Sequence, residues 1–318
     1  MPIMGPEHDL AHPVEGDEAW SESYYFNAYD PVTDSGIFTR IGVRPNEGTM
    51  DVGLSVWLPD GRLAEYRFVR EQREMVEGVL EVGGVRYELV EPMRRWHLTA
   101  DVEAQAGGDA VPIALDVTFD SLIPAVGVDA QGRSTAGASS QAAASVGKGH
   151  LEQAGRWAGT VEVARTALEW GDARGNRDKS WGPRRWGGPK MWRWFSINVG
   201  DDVHFGGIRI GTGEGDLHRG WVWKDGAHTS VREWRVRTDL ADDGLTHRVV
   251  HLTVVDKADR EHVLTGDVMR VAAIGHGRAG TVVNEGLTRW EYEGRTGYGI
   301  AEYLHQFDDA GNPVVPVE

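Results

Sequence analysis

Side chains along most of this chain alternate between apolar and polar with a period of two, the spacing that sends successive side chains to opposite faces of a strand. In MDVGLSVWLPDGRLAEYRFV, residues 50–69, two such runs flank Pro59, Asp60 and Gly61. In VLEVGGVRYELV, residues 79–90, two more flank Gly83 and Gly84. Turn-forming residues between alternating runs predict β-hairpins in both stretches. The second half repeats the pattern: RGWVWKDGAHTSVREWRVRTDL, residues 219–240, turns at Asp225 and Gly226, and HRVVHLTVVDKADREHVLTGDVMRVAAI, residues 247–274, turns at 256–260. Helical spacing is scarce, and REQREMVEGV, residues 70–79, is the one short helix predicted in the first half. Many short strands with glycine-rich turns argue for an all-β sandwich or barrel and against a parallel α/β sheet.

The alternation stops at QGRSTAGASSQAAASVGKG, residues 131–149, which is small, polar and nearly without large apolar side chains. Such a stretch adds little to a core and reads as a linker. It predicts two domains, residues 1–145 and 146–318, each an antiparallel β-barrel or strongly curved sheet. Two barrels packed side by side would put a cleft at their junction.

Composition narrows the function. A chain of 318 residues with 40% hydrophobic content has enough apolar surface for a sizeable core. The absence of cysteine removes disulfides, thiolate nucleophiles and cysteine metal sites. A net charge of −16 repels polyanions, so nucleic acid is not an expected partner. The start, MPIMGPEHDLAHPVEGDEAW, lacks a basic region followed by an apolar one, and no apolar run is long enough for a membrane span. The expectation is a soluble, cytoplasmic protein; a homodimer is compatible with it.

Familiar catalytic motifs fail on context. GTGEGD, residues 211–216, has the glycines of a phosphate loop without the strand and helix around it, and reads as a turn. His247 and His251 in HRVVH suit a metal on a helix, but on a strand they lie roughly 13 Å apart. No Gly-x-Ser-x-Gly elbow occurs. No metal and no cofactor are expected.

Other residues carry chemistry. In HLEQ, residues 150–153, a strand puts His150 and Glu152 on one face and Gln153 on the other, so a proton-handling pair could project into a cavity; the alternative is a solvated His150 at the linker. In GYGIAEYLHQ, residues 297–306, Glu302 shares a face with Tyr298, Ile300 and Leu304, while Tyr303 and His305 share the other. A carboxyl among apolar strand positions is paired, at an edge, or functional. WSESYYFNAYDP, residues 20–31, crowds Tyr24, Tyr25, Phe26 and Tyr29 into a barrel plug or an aromatic pocket. Between residues 172 and 194, Arg174, Arg177, Lys179, Arg184, Arg185, Lys190 and Arg193 face only Asp172 and Asp178, a basic island in an acidic protein. Interleaved with Trp181, Trp186, Trp192 and Trp194, it is either a latch of arginines stacked on indoles or the wall of a site in which Asp178 moves a proton and Arg177 orients it.

GNRDKSWGPRRW, preceded by HLEQAGRWAGTVEV and followed by WRWFSINVGDDVHFGG, resembles the hydroxyneurosporene synthase (carotenoid hydratase) and AttH-like superfamily with its related bacterial domains. The SESYYFNAYDP start and GYGIAEYLHQ end extend the resemblance over most of the chain. It implies two lipocalin-like barrels and a membership that includes hydratases, cyclases, isomerases and proteins without known activity. Asp178 matches the aspartate thought to protonate the alkene in the hydratases, whereas Lys179 stands where many relatives carry histidine. The resulting expectation is a cofactor-independent lyase, hydratase or isomerase acting on a hydrophobic terpenoid or aromatic molecule. Its catalytic residues would be Asp178, Arg177, Glu302 and His150. Trp181, Trp192, Trp194, Tyr24, Tyr25, Gln153 and Tyr303 would contact substrate. The alternative is a lipocalin-like carrier without chemistry, in which Arg177 and Asp178 form a buried ion pair.

Overall fold

The computed structural model describes residues 1–129, 147–185, 187–211, 215–274 and 280–318. The chain divides into two units, one of residues 2–131 with 147–184 and a second made chiefly of 185–318. Among the described residues the only helix is one 3-10 turn, Pro6–His8. None is long and apolar enough to cross a membrane.

The N-terminal unit is one antiparallel sheet of eleven strands: β1 (Trp20–Asp30), β2 (Ser35–Arg44), β3 (Thr49–Trp57), β4 (Leu63–Glu71), β5 (Val79–Val82), β6 (Val85–Glu91), β7 (Arg95–Ala106), β8 (Asp109–Ser121), β9 (Val126–Asp129), β10 (Gly149–Val163) and β11 (Thr166–Pro183). They run in the order β4-β3-β2-β1-β11-β10-β8-β7-β6-β5, with β9 beside β10 and a further pairing of β4 with β7 that curls the sheet on itself. Its concave face is filled: Phe26 meets Trp157, Trp96 and Tyr87 edge-on at ring separations of 5.8, 5.6 and 5.1 Å, the geometry that aromatic quadrupoles favour. The C-terminal unit is a closed barrel of eight strands: β12 (Met191–Val199), β13 (Val203–Gly211), β14 (Asp216–Lys224), β15 (Ala227–Leu240), β16 (His247–Asp256), β17 (Glu261–Ile274), β18 (Thr281–Tyr292) and β19 (Arg295–Gln306). Phe195, Trp234, Trp290 and Phe205 lie in its core.

The four predicted hairpins form, as β3–β4, β5–β6, β14–β15 and β16–β17. Asp225 and Gly226 both take positive φ, 55° and 69°, as a tight two-residue hairpin turn demands. Two expectations are corrected. Residues 70 and 71 end strand β4, and no helix follows before β5: Arg70 is held by hydrogen bonds to Gln72 and Glu81 rather than by a helical turn. The division also falls after Arg184 rather than between 145 and 146. Strands β10 and β11 pair with β8 and β1, so the motif segment completes the N-terminal sheet instead of opening the C-terminal barrel. The predicted linker lies almost wholly outside the described residues.

Candidate active site

Strand β11 runs between β1 and β10, and its alternation divides the motif in two. Tyr24, Phe26, Lys179, Arg177 and Gln153 lie on the concave, core-facing side, as the registers Tyr24↔Lys179, Phe26↔Arg177 and Gln153↔Arg177 place them. Asp178 and Ser180 face the other way with Tyr25, Ser23, Glu152 and His150, through Tyr25↔Asp178, Glu152↔Asp178 and His150↔Ser180. Neighbours in sequence cannot share a face of a strand.

The core-facing residues form a latch on the N-terminal segment. Arg177 forks onto Asp9, with Nη2 donating to Oδ2 at 3.2 Å, and its Nε donates to Gln153 Oε1 at 2.7 Å. Gln153 in turn donates to the carbonyls of Met93 and Ile123, each at 2.8 Å. Lys179 Nζ donates to the carbonyls of His8 and Leu10 and pairs with Glu22 at 2.7 Å. Glu22 also pairs with His12 Nδ1 and accepts from the Tyr24 hydroxyl at 3.1 Å. Burial opposes the Glu22 carboxylate, but His12 and Lys179 outweigh it and hold its pKa below the ordinary value. Burial, with Glu22 beside it, drives the Tyr24 phenol well above its usual range. The Trp181 indole stacks on the His12 ring at 3.9 Å, nearly parallel. Gly149, opposite Trp181, makes room for it: a Cβ there would sit 1.9 Å from the indole.

The opposite face holds the titrating groups. His150 Nε2 is hydrogen-bonded to Asp178 Oδ2, and Glu152 Oε1 lies 3.7 Å from the same nitrogen. Glu152 is buried, whereas the His150 and Asp178 side chains keep 28% and 18% exposure, enough to meet a ligand. Arg184 donates to Ser180 Oγ at 3.3 Å, and Arg40, paired with Asp51, donates to Ser23 Oγ at 2.7 Å. Burial works against the imidazolium, yet the Asp178 carboxylate, helped by Glu152, raises the His150 pKa to about 9. At neutral pH the pair is therefore an imidazolium on a carboxylate, a proton held at Nε2 beside an acceptor. Each of His150, Glu152 and Asp178 also offers one ligand atom, all within 4.8 Å of one another, so at these three residues a divalent cation would compete with the proton.

Sequence reasoning paired Arg177 with Asp178. The alternation separates them: Asp9 and Gln153 take Arg177, and His150 takes Asp178. Tyr24, Gln153 and Trp181 likewise belong to the latch, while Tyr25 stands beside Asp178. Asp9, His12 and Glu22 were missed. Their one signal was the cluster HDLAH ahead of an aromatic strand and the lone acid of SES at its start. The remaining predicted residues belong to the C-terminal barrel. There Trp192 Nε1 donates to Glu302 Oε1 at 2.5 Å, Trp194 stands opposite Glu302, and Tyr303 points inward. His247 and His251, four apart, would share a face of a regular strand, but a register shift in the β15–β16 pairing parts them: His247 bonds the Ala301 carbonyl inside, and His251 pairs with exposed Asp239.

Fold and site define a class of two-unit all-β proteins built around an arginine- and tryptophan-rich strand. Residues 5–307 match the model of a domain of unknown function, DUF7064, and the chain belongs to that family. Among curated proteins, none matches it in sequence. Solved structures share the fold. A Nitrosomonas europaea protein assigned as AttH superposes with a TM-score of 0.66 at 13% identity, covering 96% of each chain. Kievitone hydratase from Nectria haematococca gives 0.60 at 14% identity over 89% of this chain and 88% of its own. CghA gives 0.60 at 13% identity over 90% and 88%.

Proposed function

We propose that the protein is an acid–base enzyme of the hydratase, lyase or isomerase type, acting on an apolar small molecule, with His150 and Asp178 as its proton-transfer pair. The observation that carries this reading is the hydrogen bond between an imidazole and a carboxylate that both reach solvent beside a second, buried carboxyl, Glu152. The imidazolium would donate a proton to a substrate carbon or leaving oxygen. Asp178 would hold the ring in position and receive a proton on the return step. Tyr25, across from Asp178, offers an aromatic edge for an apolar substrate. This reading needs no cofactor. It is supported at the level of the fold by the likeness to kievitone hydratase, a hydratase by name.

The test starts with a thermal-shift screen of terpenoids and aromatic phenols, since a ligand specific to the native state raises stability. Any hit is then incubated in D2O with the wild type and with Asp178→Asn. Turnover or deuterium uptake in the wild type, reduced about 100-fold or more in the variant, is expected from the loss of a general acid–base group. Deuterium uptake unchanged in Asp178→Asn would remove the pair from the mechanism. A ligand recovered unchanged from both would make the protein a carrier.

A further inference from the structure

The C-terminal barrel carries a second polar cluster, on its inner face and separate from the His150–Asp178 pair. Arg193 of β12 and Arg209 of β13 stand directly opposite each other on adjacent strands, both on the side that carries the core. Like charges in that relation destabilise a sheet unless something neutralises them. Arg209 is neutralised by Asp216 at 2.5 Å and by Glu318, whose Oε1 accepts from Nη2 at 2.8 Å. Arg193 is 3% exposed, and among the described residues no carboxylate lies within ion-pairing distance of it. Its Nη1 donates to the Trp192 and Leu304 carbonyls at 2.8 and 3.3 Å, and its guanidinium lies 4.2 Å from the centre of the Tyr303 ring. A buried cation left without an anion is costly.

The groups around it are also incompletely satisfied. Tyr303 stacks on His247 at 4.1 Å and its hydroxyl reaches across to Thr238 at 2.7 Å. Nδ1 of His247 and both ring nitrogens of His305 are buried without a hydrogen-bond partner among the described residues. Burial and the nearby Arg193 hold His247 to about 4 and His305 to about 3, so both rings are neutral at physiological pH with one N–H each; His247 gives its own to the Ala301 carbonyl, and that of His305 is left to donate. Val317 packs against the apolar core of the barrel, and the adjoining Glu318 carboxylate is the acid group already seated at this end. A buried cation, one neutral N–H donor on His305 and an apolar body beneath them describe a carboxylate site.

We propose that the C-terminal barrel binds an apolar monocarboxylate, its acid group on Arg193 with His305 and Tyr303 around it, and that Glu318 competes for the same pair of arginines. The probe is dodecanoate, with dodecanol as the uncharged control, titrated calorimetrically into the full chain. Wild type should bind dodecanoate at least 10-fold more tightly than dodecanol. Arg193→Met should abolish that preference while leaving dodecanol binding within twofold, and Glu318→Gln should tighten dodecanoate binding several-fold. Because Arg193→Met removes a buried group and can fail to fold, Glu318→Gln, at an exposed side chain, decides by itself. Equal affinity for acid and alcohol in the wild type, no binding of either, or no gain in Glu318→Gln would overturn the proposal. Asp178→Asn should leave all these values unchanged, so this site and the proton pair stand or fall separately.

Discussion

Replacing Arg177 by Met tests the division of the motif into latch and site most severely. The Arg177 side chain is 2% exposed and Asp9 is fully buried, so the variant leaves a carboxylate in the core with its counterion gone. Breaking a buried pair in this way costs about 3–5 kcal/mol. Asp9 keeps one bond, from the Met93 amide, but Gln153 Oε1 loses its donor as well, which places the cost toward the upper end of that range. For a unit of this size each kcal/mol moves Tm by about 2–4 °C, so the fall should be about 6–20 °C. Scanning calorimetry measures it. The double variant Arg177→Met with Asp9→Asn removes both charges and should be more stable than the sum of the single effects by about 1–3 kcal/mol. A Tm for Arg177→Met within about 2 °C of wild type, or strict additivity in the cycle, would refute the latch.

Three further outcomes follow from the same geometry. The folded pKa of His150, about 9, lies above its ordinary 6.5, so the contribution of the pair is complete below about pH 6.5 and is lost as pH rises through about 9. Wild-type denaturation midpoints should therefore fall across that window by the equivalent of about 2–3 kcal/mol relative to Asp178→Asn, which lacks the dependence. Gly149→Ala drives a methyl into the Trp181 indole and should cost about 1–3 kcal/mol in urea denaturation. Treatment with EDTA should leave Tm unchanged; a drop that added zinc reverses would put a cation on His150, Glu152 and Asp178.

Period-two alternation made much of this structure legible. It gave the four hairpins, put His150 with Glu152 and away from Gln153, and separated Glu302 from Tyr303. The same rule applied to residues 177–181 would have parted Arg177 from Asp178, but the basic island drew attention to composition instead of to faces. What alternation cannot carry is pairing across the chain. β1 meets β11 through residues about 150 positions apart, as in Asn27 with Asn176, and Asp9 reaches Arg177 over a separation of 168 residues. No local pattern encodes such partners. That is why the boundary was placed at the small, polar linker and why Asp9, His12 and Glu22 were overlooked. The inward Arg193 was visible only as one more charge in the island. That none of the described carboxylates forms an ion pair with it depends on which strand lies beside it.

The central claim is that the even-numbered half of the motif holds a proton between His150 and Asp178. An NMR titration of the imidazole resonances, with His150 assigned by its absence in His150→Gln, measures it without a substrate. The account predicts a His150 pKa of about 9 in the wild type. In Asp178→Asn it predicts a value below the ordinary 6.5, where burial acts without its carboxylate. A His150 that titrates near 6.5 in both proteins would contradict it.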